Sequence, residues 1–118
     1  MDTKSRGQAY QDNVQKKIAA LGFQHTVFPV KGYFQDTLPH MSGPFCLALI
    51  DCDFRDSLLY AAEIIWPNLL SQGCIVFDDY CESAFKGAKQ GVDIFVEKHR
   101  SEISEHRLLN RLYYVRKV

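Results

Sequence analysis

The sequence predicts an α/β fold with a mostly parallel sheet. Two near-continuous apolar runs, PFCLALIDCD and CIVFDD, lack polar alternation, as strands covered on both faces do. Between them Leu58, Ala61, Ala62 and Ile65 recur at helical spacing, so a crossover helix joins the two strands into a βαβ unit. Both runs end in carboxylates: Asp51 and Asp53 close the first, and the adjacent pair Asp78 and Asp79 closes the second.

The remaining elements follow in order. Residues Asp12 to Leu21 read as a helix that can extend further toward the N-terminus. Asp12 with Gln15 resembles a capping box, Tyr10, Val14, Ile18 and Leu21 share a face, and Gly22 supplies the stop. HTVFPVKGYF reads as a strand whose proline marks an edge or irregular position. A loop with Asp36, Pro39, Ser42, Gly43 and Pro44 precedes the first apolar run. The crossover helix spans Ser57 to Trp66, with Ser57 as its cap and Pro67 near its end. A last helix runs from about Ser83 to His99 on Phe85, Ala88, Val92, Phe95 and Val96, although Gly87 and Gly91 each cost about 1 kcal/mol relative to alanine. LYYVRKV is the final strand, giving the order α, β, β, α, β, α, β.

Composition narrows the function. The 118 residues make one domain, 1–118. Fourteen basic residues balance 14 acidic ones, which leaves no global field for nucleic acid or an anionic membrane. The apolar runs are short and the N-terminal segment MDTKSRGQAYQDN is polar, so a cytoplasmic chain without membrane span or secretory signal is expected. Cys46, Cys52, Cys74 and Cys81 lack CxxC spacing and read as free thiols, Cys52 as a small residue packed between the aspartates. His25, His40, His99 and His106 are scattered, with His40 read as a surface loop residue, and Trp66 reads as core.

Ligands of parallel sheets bind at the carboxyl ends of strands, where both aspartate sets lie. Adjacent residues on a regular strand point to opposite faces, so Asp78 and Asp79 converge only where the strand has ended and the backbone turns. Asp51, Asp78 and Asp79 then offer three oxygens to a hard cation such as Mg²⁺, and Asp53 remains as a free carboxylate able to act as general base. The rival reading is helix capping, with Asp53 and Asp56 before LLYAAEII and Asp79 before SAFKGAK.

Three blocks, YFQDTLP, LALIDCDFRDS and GCIVFDDY, together resemble the macrocin O-methyltransferase (TylF-type) family. Phe34, Asp36, Thr37, Leu38 and Pro39 match its first segment, Asp51, Asp53, Asp56 and Ser57 its second, and Gly73, Asp78, Asp79 and Tyr80 its third. DNVQKKIAALGF and LYYVRK resemble the family's helix before its third strand and its closing strand. The resemblance implies a class I, S-adenosylmethionine- and Mg²⁺-dependent enzyme acting on vicinal diols of sugars. It makes Asp51, Asp78 and Asp79 metal ligands and Asp53 the general base. Cys52 replaces the family's usual glycine, and Arg55 and Leu58 also depart from its pattern.

A further departure is an absence. Glycines fall at 7, 22, 32, 43, 73, 87 and 91, so no GxG cofactor loop occurs. The fold expected is therefore a partial Rossmann-like, three-layer class I methyltransferase sheet lacking its first two strands, in a single truncated domain. The strand near Phe28 and that near Leu47 lose the strands between them, and a parallel connection over so few residues is disfavoured. The chain is expected either to pair these strands antiparallel or to form a homo-oligomer, with a domain-swapped dimer as one form.

Three functions compete at this stage. The first is a TylF-type O-methyltransferase homologue, inactive as an isolated chain. The second is a non-enzymatic metal-binding or oligomeric remnant. Ranked lower is a haloacid-dehalogenase-like phosphatase, because no lysine stands between Asp53 and Asp78.

Overall fold

The two apolar runs become neighbouring parallel strands. In the computed structural model the order is α1 (Thr3–Ala20), α2 (Phe34–Thr37), β1 (Phe45–Ile50), α3 (Arg55–Ile65), β2 (Leu69–Phe77), α4 (Gly87–Lys98), β3 (Ile103–Leu109) and β4 (Leu112–Lys117). The structure describes residues 3–81, 84 and 86–118, with side chains from residue 8 onward. The expected helical positions Ser83 and Phe85 lie outside the described residues. Contacts divide the chain into two compact units, Met1–Tyr33 and Phe34–Val118.

The first unit is α1 and the segment after it. Asp12 does not cap the helix: it lies inside, its carboxylate accepting from Gln8 Nε2 at 3.0 Å, and the helix starts at Thr3. Gly22, at φ 78°, closes the C-terminal end as expected, with the Phe23 N–H donating to the Ile18 carbonyl at 3.0 Å. The strand expected at HTVFPVKGYF is absent. The Thr26 and Val27 N–H groups turn back to the Phe23 carbonyl, Pro29 has no N–H to give, and Gly32 sits at φ 143°. A strand persists only when a neighbouring strand takes its backbone groups, and among the described residues no strand pairs with this segment.

In the second unit the sheet order is β1-β2-β4-β3, with β1 parallel to β2 and the other two pairs antiparallel. The mostly parallel sheet thus becomes a mixed one. The cause is a strand absent from the sequence reading, β3, which joins β4 through the two-residue turn Asn110–Arg111 between the paired Leu109 and Leu112. Asn110 takes φ 57°, which suits such a hairpin. Of the two expected outcomes, the antiparallel pairing within the chain does not form: among the described residues β1 is an edge strand bonded to β2.

Helices α3 and α4 cover one face of this sheet. Leu58, Ala62, Ala88, Val92 and Phe95 meet Ile75, Phe77 and Val115 in one fully buried cluster. Trp66 joins it as expected, its ring edge-on to Phe95 with centroids 5.2 Å apart. Gly87 and Gly91 have a packing reason. A Cβ on Gly87 would lie 2.9 Å from the Asp53 carbonyl oxygen and the Arg55 nitrogen, and one on Gly91 would lie 2.8 Å from Leu58 Cδ2. Their helical cost is offset by the close approach of α4 to the start of α3.

On the opposite face Leu47 and Leu49 are 61% and 66% exposed, with Leu109 and Leu112 beside them. No helix among the described residues is long and apolar enough to cross a membrane.

Candidate metal centre

β1 ends at Ile50 and β2 at Phe77, so Asp51 and Asp78 begin adjacent loops at the carboxyl ends of paired parallel strands. The ladder reaches one bond further, with the Asp78 N–H donating to the Ile50 carbonyl at 3.0 Å. The chain then turns. Asp79 adopts φ 61° and its N–H donates to the Asp78 carboxylate at 2.8 Å. Aspartate tolerates this left-handed conformation better than most residues. The turn brings the two consecutive carboxylates to the same side.

One carboxylate oxygen from each of Asp51, Asp78 and Asp79 lies within 4.8 Å of the other two. Burial pushes the Asp79 carboxyl above the ordinary carboxylate range, and the charges of Asp78 and Asp51 push it the same way. Arg111, at the β3–β4 turn, opposes this with its guanidinium 3.4 Å from Asp79. Three converging hard oxygen donors in mutual repulsion fit a hard divalent cation, whose charge relieves that repulsion. Burial and the flanking charges of Asp51 and Asp53 push the Cys52 thiol up, so it stays neutral beside the oxygens.

The capping alternative does not hold at the described helix starts. The N-cap of α3 is Phe54 and that of α4 is Lys86, neither with a side-chain cap bond. Ser57, the expected cap, lies inside α3, and Asp56 in its first turn pairs with Arg55 at 3.1 Å. Asp53 stands apart from the three-carboxylate cluster, exposed on the bend between β1 and α3. Gly87 packs against its carbonyl, which fixes that bend relative to α4.

Contacts beyond the cluster hold the second turn. The Tyr80 hydroxyl donates to Asp93 at 2.7 Å, and Lys89 donates to the other oxygen of Asp93 at 2.7 Å. Lys89 lies on the solvated face of α4, and its i,i+4 spacing to Asp93 is the sequence signal for this pair. The Tyr80 ring lies 4.7 Å from that of Tyr113, whose hydroxyl bonds His106 Nδ1 at 2.6 Å. Asp79 and Tyr80 are thereby tied to α4 and to the β3–β4 hairpin. His40 is exposed in the turn after α2.

Comparison with known proteins gives one family and one fold. Residues 5–112 match the family described as Macrocin-O-methyltransferase (TylF). No curated protein sequence matches the chain. Among solved structures, the O-methyltransferase NovP is 22% identical with a TM-score of 0.64 over 74% of this chain. CalS11, a TDP-rhamnose 3'-O-methyltransferase of calicheamicin biosynthesis, is 21% identical with a TM-score of 0.68 over 92%. A putative caffeoyl-CoA O-methyltransferase from Staphylococcus aureus is 14% identical with a TM-score of 0.71 over 88%. The chain spans 36%, 50% and 57% of those three chains, respectively.

Proposed function

The chain belongs to the macrocin-O-methyltransferase (TylF) family, and on that premise we propose that it carries the metal- and acceptor-binding half of a sugar O-methyltransferase site. The observation that carries this reading is the convergence of Asp51, Asp78 and Asp79 at the carboxyl ends of two parallel strands. The family is S-adenosylmethionine-dependent. No residue of this chain is assigned to that cofactor.

In this reading Asp51, Asp78 and Asp79 hold Mg²⁺ and Asp53 is the general base. Bound there, the ion supplies Lewis acidity toward a sugar diol. Arg111 and the Asp79 N–H to Asp78 bond hold the ligand carboxylates in place. Asp53 would accept the proton of the acceptor hydroxyl, and S-adenosylmethionine, when bound, would supply the methyl group. The isolated chain binds metal and turns over no substrate, because the methyl donor is held by residues outside this set.

The test is calorimetric titration of the chain with MgCl₂ and MnCl₂. Wild type is expected to bind either ion at one site, and Asp78→Asn is expected to lose binding while keeping its circular dichroism spectrum. Absence of binding to wild type overturns the metal assignment. A parallel titration with S-adenosylmethionine separates the readings, since a ligand bound only by the folded state raises its melting temperature. Metal binding without a cofactor shift is the expected pattern.

A further inference from the structure

Asp79 lies past the end of β2 and ahead of the start of α4 at Gly87, outside both elements. Its φ of 61° is a conformation that costs a non-glycine residue energy and persists where surrounding contacts fix it. The next residue, Tyr80, supplies such contacts. Its hydroxyl donates to one Asp93 oxygen at 2.7 Å, its ring lies 4.7 Å from that of Tyr113 on β4, and the Lys89 ammonium sits 5.4 Å from its ring centroid.

Asp93 stands on the rigid side of this arrangement. Its neighbours on α4, Val92, Phe95 and Val96, are in the core, and Gly91 brings the helix against Leu58. Lys89, one helical turn earlier, donates to the second Asp93 oxygen at 2.7 Å, which orients the carboxylate and offsets its charge. Asp93 is not a member of the three-carboxylate cluster.

We propose that Asp93 is a positioning residue for the metal centre: through the Tyr80 hydroxyl it fixes the turn that aims the Asp78 and Asp79 carboxylates at the same point as Asp51. The inference rests on the metal reading of those three aspartates. Hydrogen bonds to an ionised acceptor are among the stronger ones in a protein. Without this one the turn is freer to relax toward extended backbone, where adjacent side chains point to opposite sides and the two carboxylates diverge. Loss of groups that orient metal ligands weakens metal binding by about 10- to 100-fold. The bond is open to solvent and Tyr80 adjoins the ligands in sequence, so the lower end of that range applies. Two rival roles make different predictions: a helix-surface ion pair with Lys89 alone, and attraction of the cation by the Asp93 charge.

The experiment is calorimetric titration of the full chain with MnCl₂, using wild type, Tyr80→Phe, Asp93→Ala, Asp93→Asn and the double variant Tyr80→Phe/Asp93→Ala, each checked by circular dichroism. Tyr80→Phe and Asp93→Ala are each expected to bind Mn²⁺ about tenfold more weakly. The double variant is expected to be no weaker than either, because both changes remove the same bond. Asp93→Asn keeps an oxygen that accepts from Tyr80 and is expected to retain wild-type affinity. Wild-type affinity in Tyr80→Phe, or additive losses in the double variant, overturns the inference. Weak binding by Asp93→Asn with normal binding by Tyr80→Phe also overturns it, and assigns the effect to charge. Tyr80→Phe, which removes a single oxygen, decides with Asp93→Asn if an alanine variant fails to fold. No binding by wild type overturns the metal assignment and this inference with it, whereas binding that Tyr80→Phe leaves unchanged overturns this inference alone.

Discussion

The Asp79 backbone N–H donates to the Asp78 carboxylate at 2.8 Å while Asp79 itself stands at φ 61°. That bond is what lets two adjacent aspartates face one way. It also crowds three negative charges, with the Arg111 guanidinium 3.4 Å from Asp79.

Asp79→Asn is expected to act in opposite directions with and without metal. In chelator at neutral pH it removes a carboxylate repelled by Asp78 and Asp51, and asparagine also tolerates the left-handed backbone, so the melting temperature rises. In excess Mg²⁺ wild type gains stability by ligand linkage and the variant does not. Melts of both proteins in the two buffers check this, and a variant that is less stable in chelator sinks the repulsion argument.

Gly87→Ala tests how α4 positions the bend that carries Asp53. A methyl there meets the Asp53 carbonyl oxygen and the Arg55 nitrogen at 2.9 Å, both main-chain atoms. The helical gain of about 1 kcal/mol from alanine is outweighed by overpacking, and a net loss of about 1–3 kcal/mol is expected in urea unfolding.

Phe95→Ala tests the core beneath the site. Phe95 is fully buried and its ring contacts Trp66, Phe77 and His99 at centroid distances of 5.2, 5.8 and 4.6 Å. Its truncation is expected to cost about 3–5 kcal/mol, read as a lower denaturation midpoint. A loss below about 1 kcal/mol contradicts the packing described.

Acid sensitivity is expected at the opposite end of the sheet. His99 bonds Glu102 at 2.7 Å and Glu63 at 2.9 Å, and the bond with His99 holds the Glu102 carboxyl below the ordinary range. A carboxyl lowered in the native state contributes stability that is full above its unfolded value, about 4.3, and is lost as pH falls through the native value. Glu102→Gln is therefore less stable than wild type at neutral pH, and the gap closes in acid. Melting curves across that range measure it, and a gap that widens in acid contradicts the assignment.

The sequence was legible where one segment carries its own signal. The apolar runs at β1 and β2, the helical spacing of Leu58 to Ile65, and the aspartates closing each run were all readable locally. HTVFPVKGYF misled because β-prone composition is insufficient without a partner for the backbone. β3, ISEHRLL, was missed because its charged residues hide the pattern of an exposed edge strand, which nonetheless pairs with β4 from Ile103 to Leu109.

By itself the sequence determined the family resemblance, the parallel β1–β2 pair and the four candidate aspartates, since these depend on residue type and spacing along the chain. Tertiary structure decided which carboxylates meet. Only the register of β1 on β2 and the left-handed turn at Asp79 gather Asp51, Asp78 and Asp79 and leave Asp53 outside. It also decided that Arg111, from a hairpin 32 residues further along, faces Asp79, because a long-range charge contact has no periodicity in the sequence to announce it.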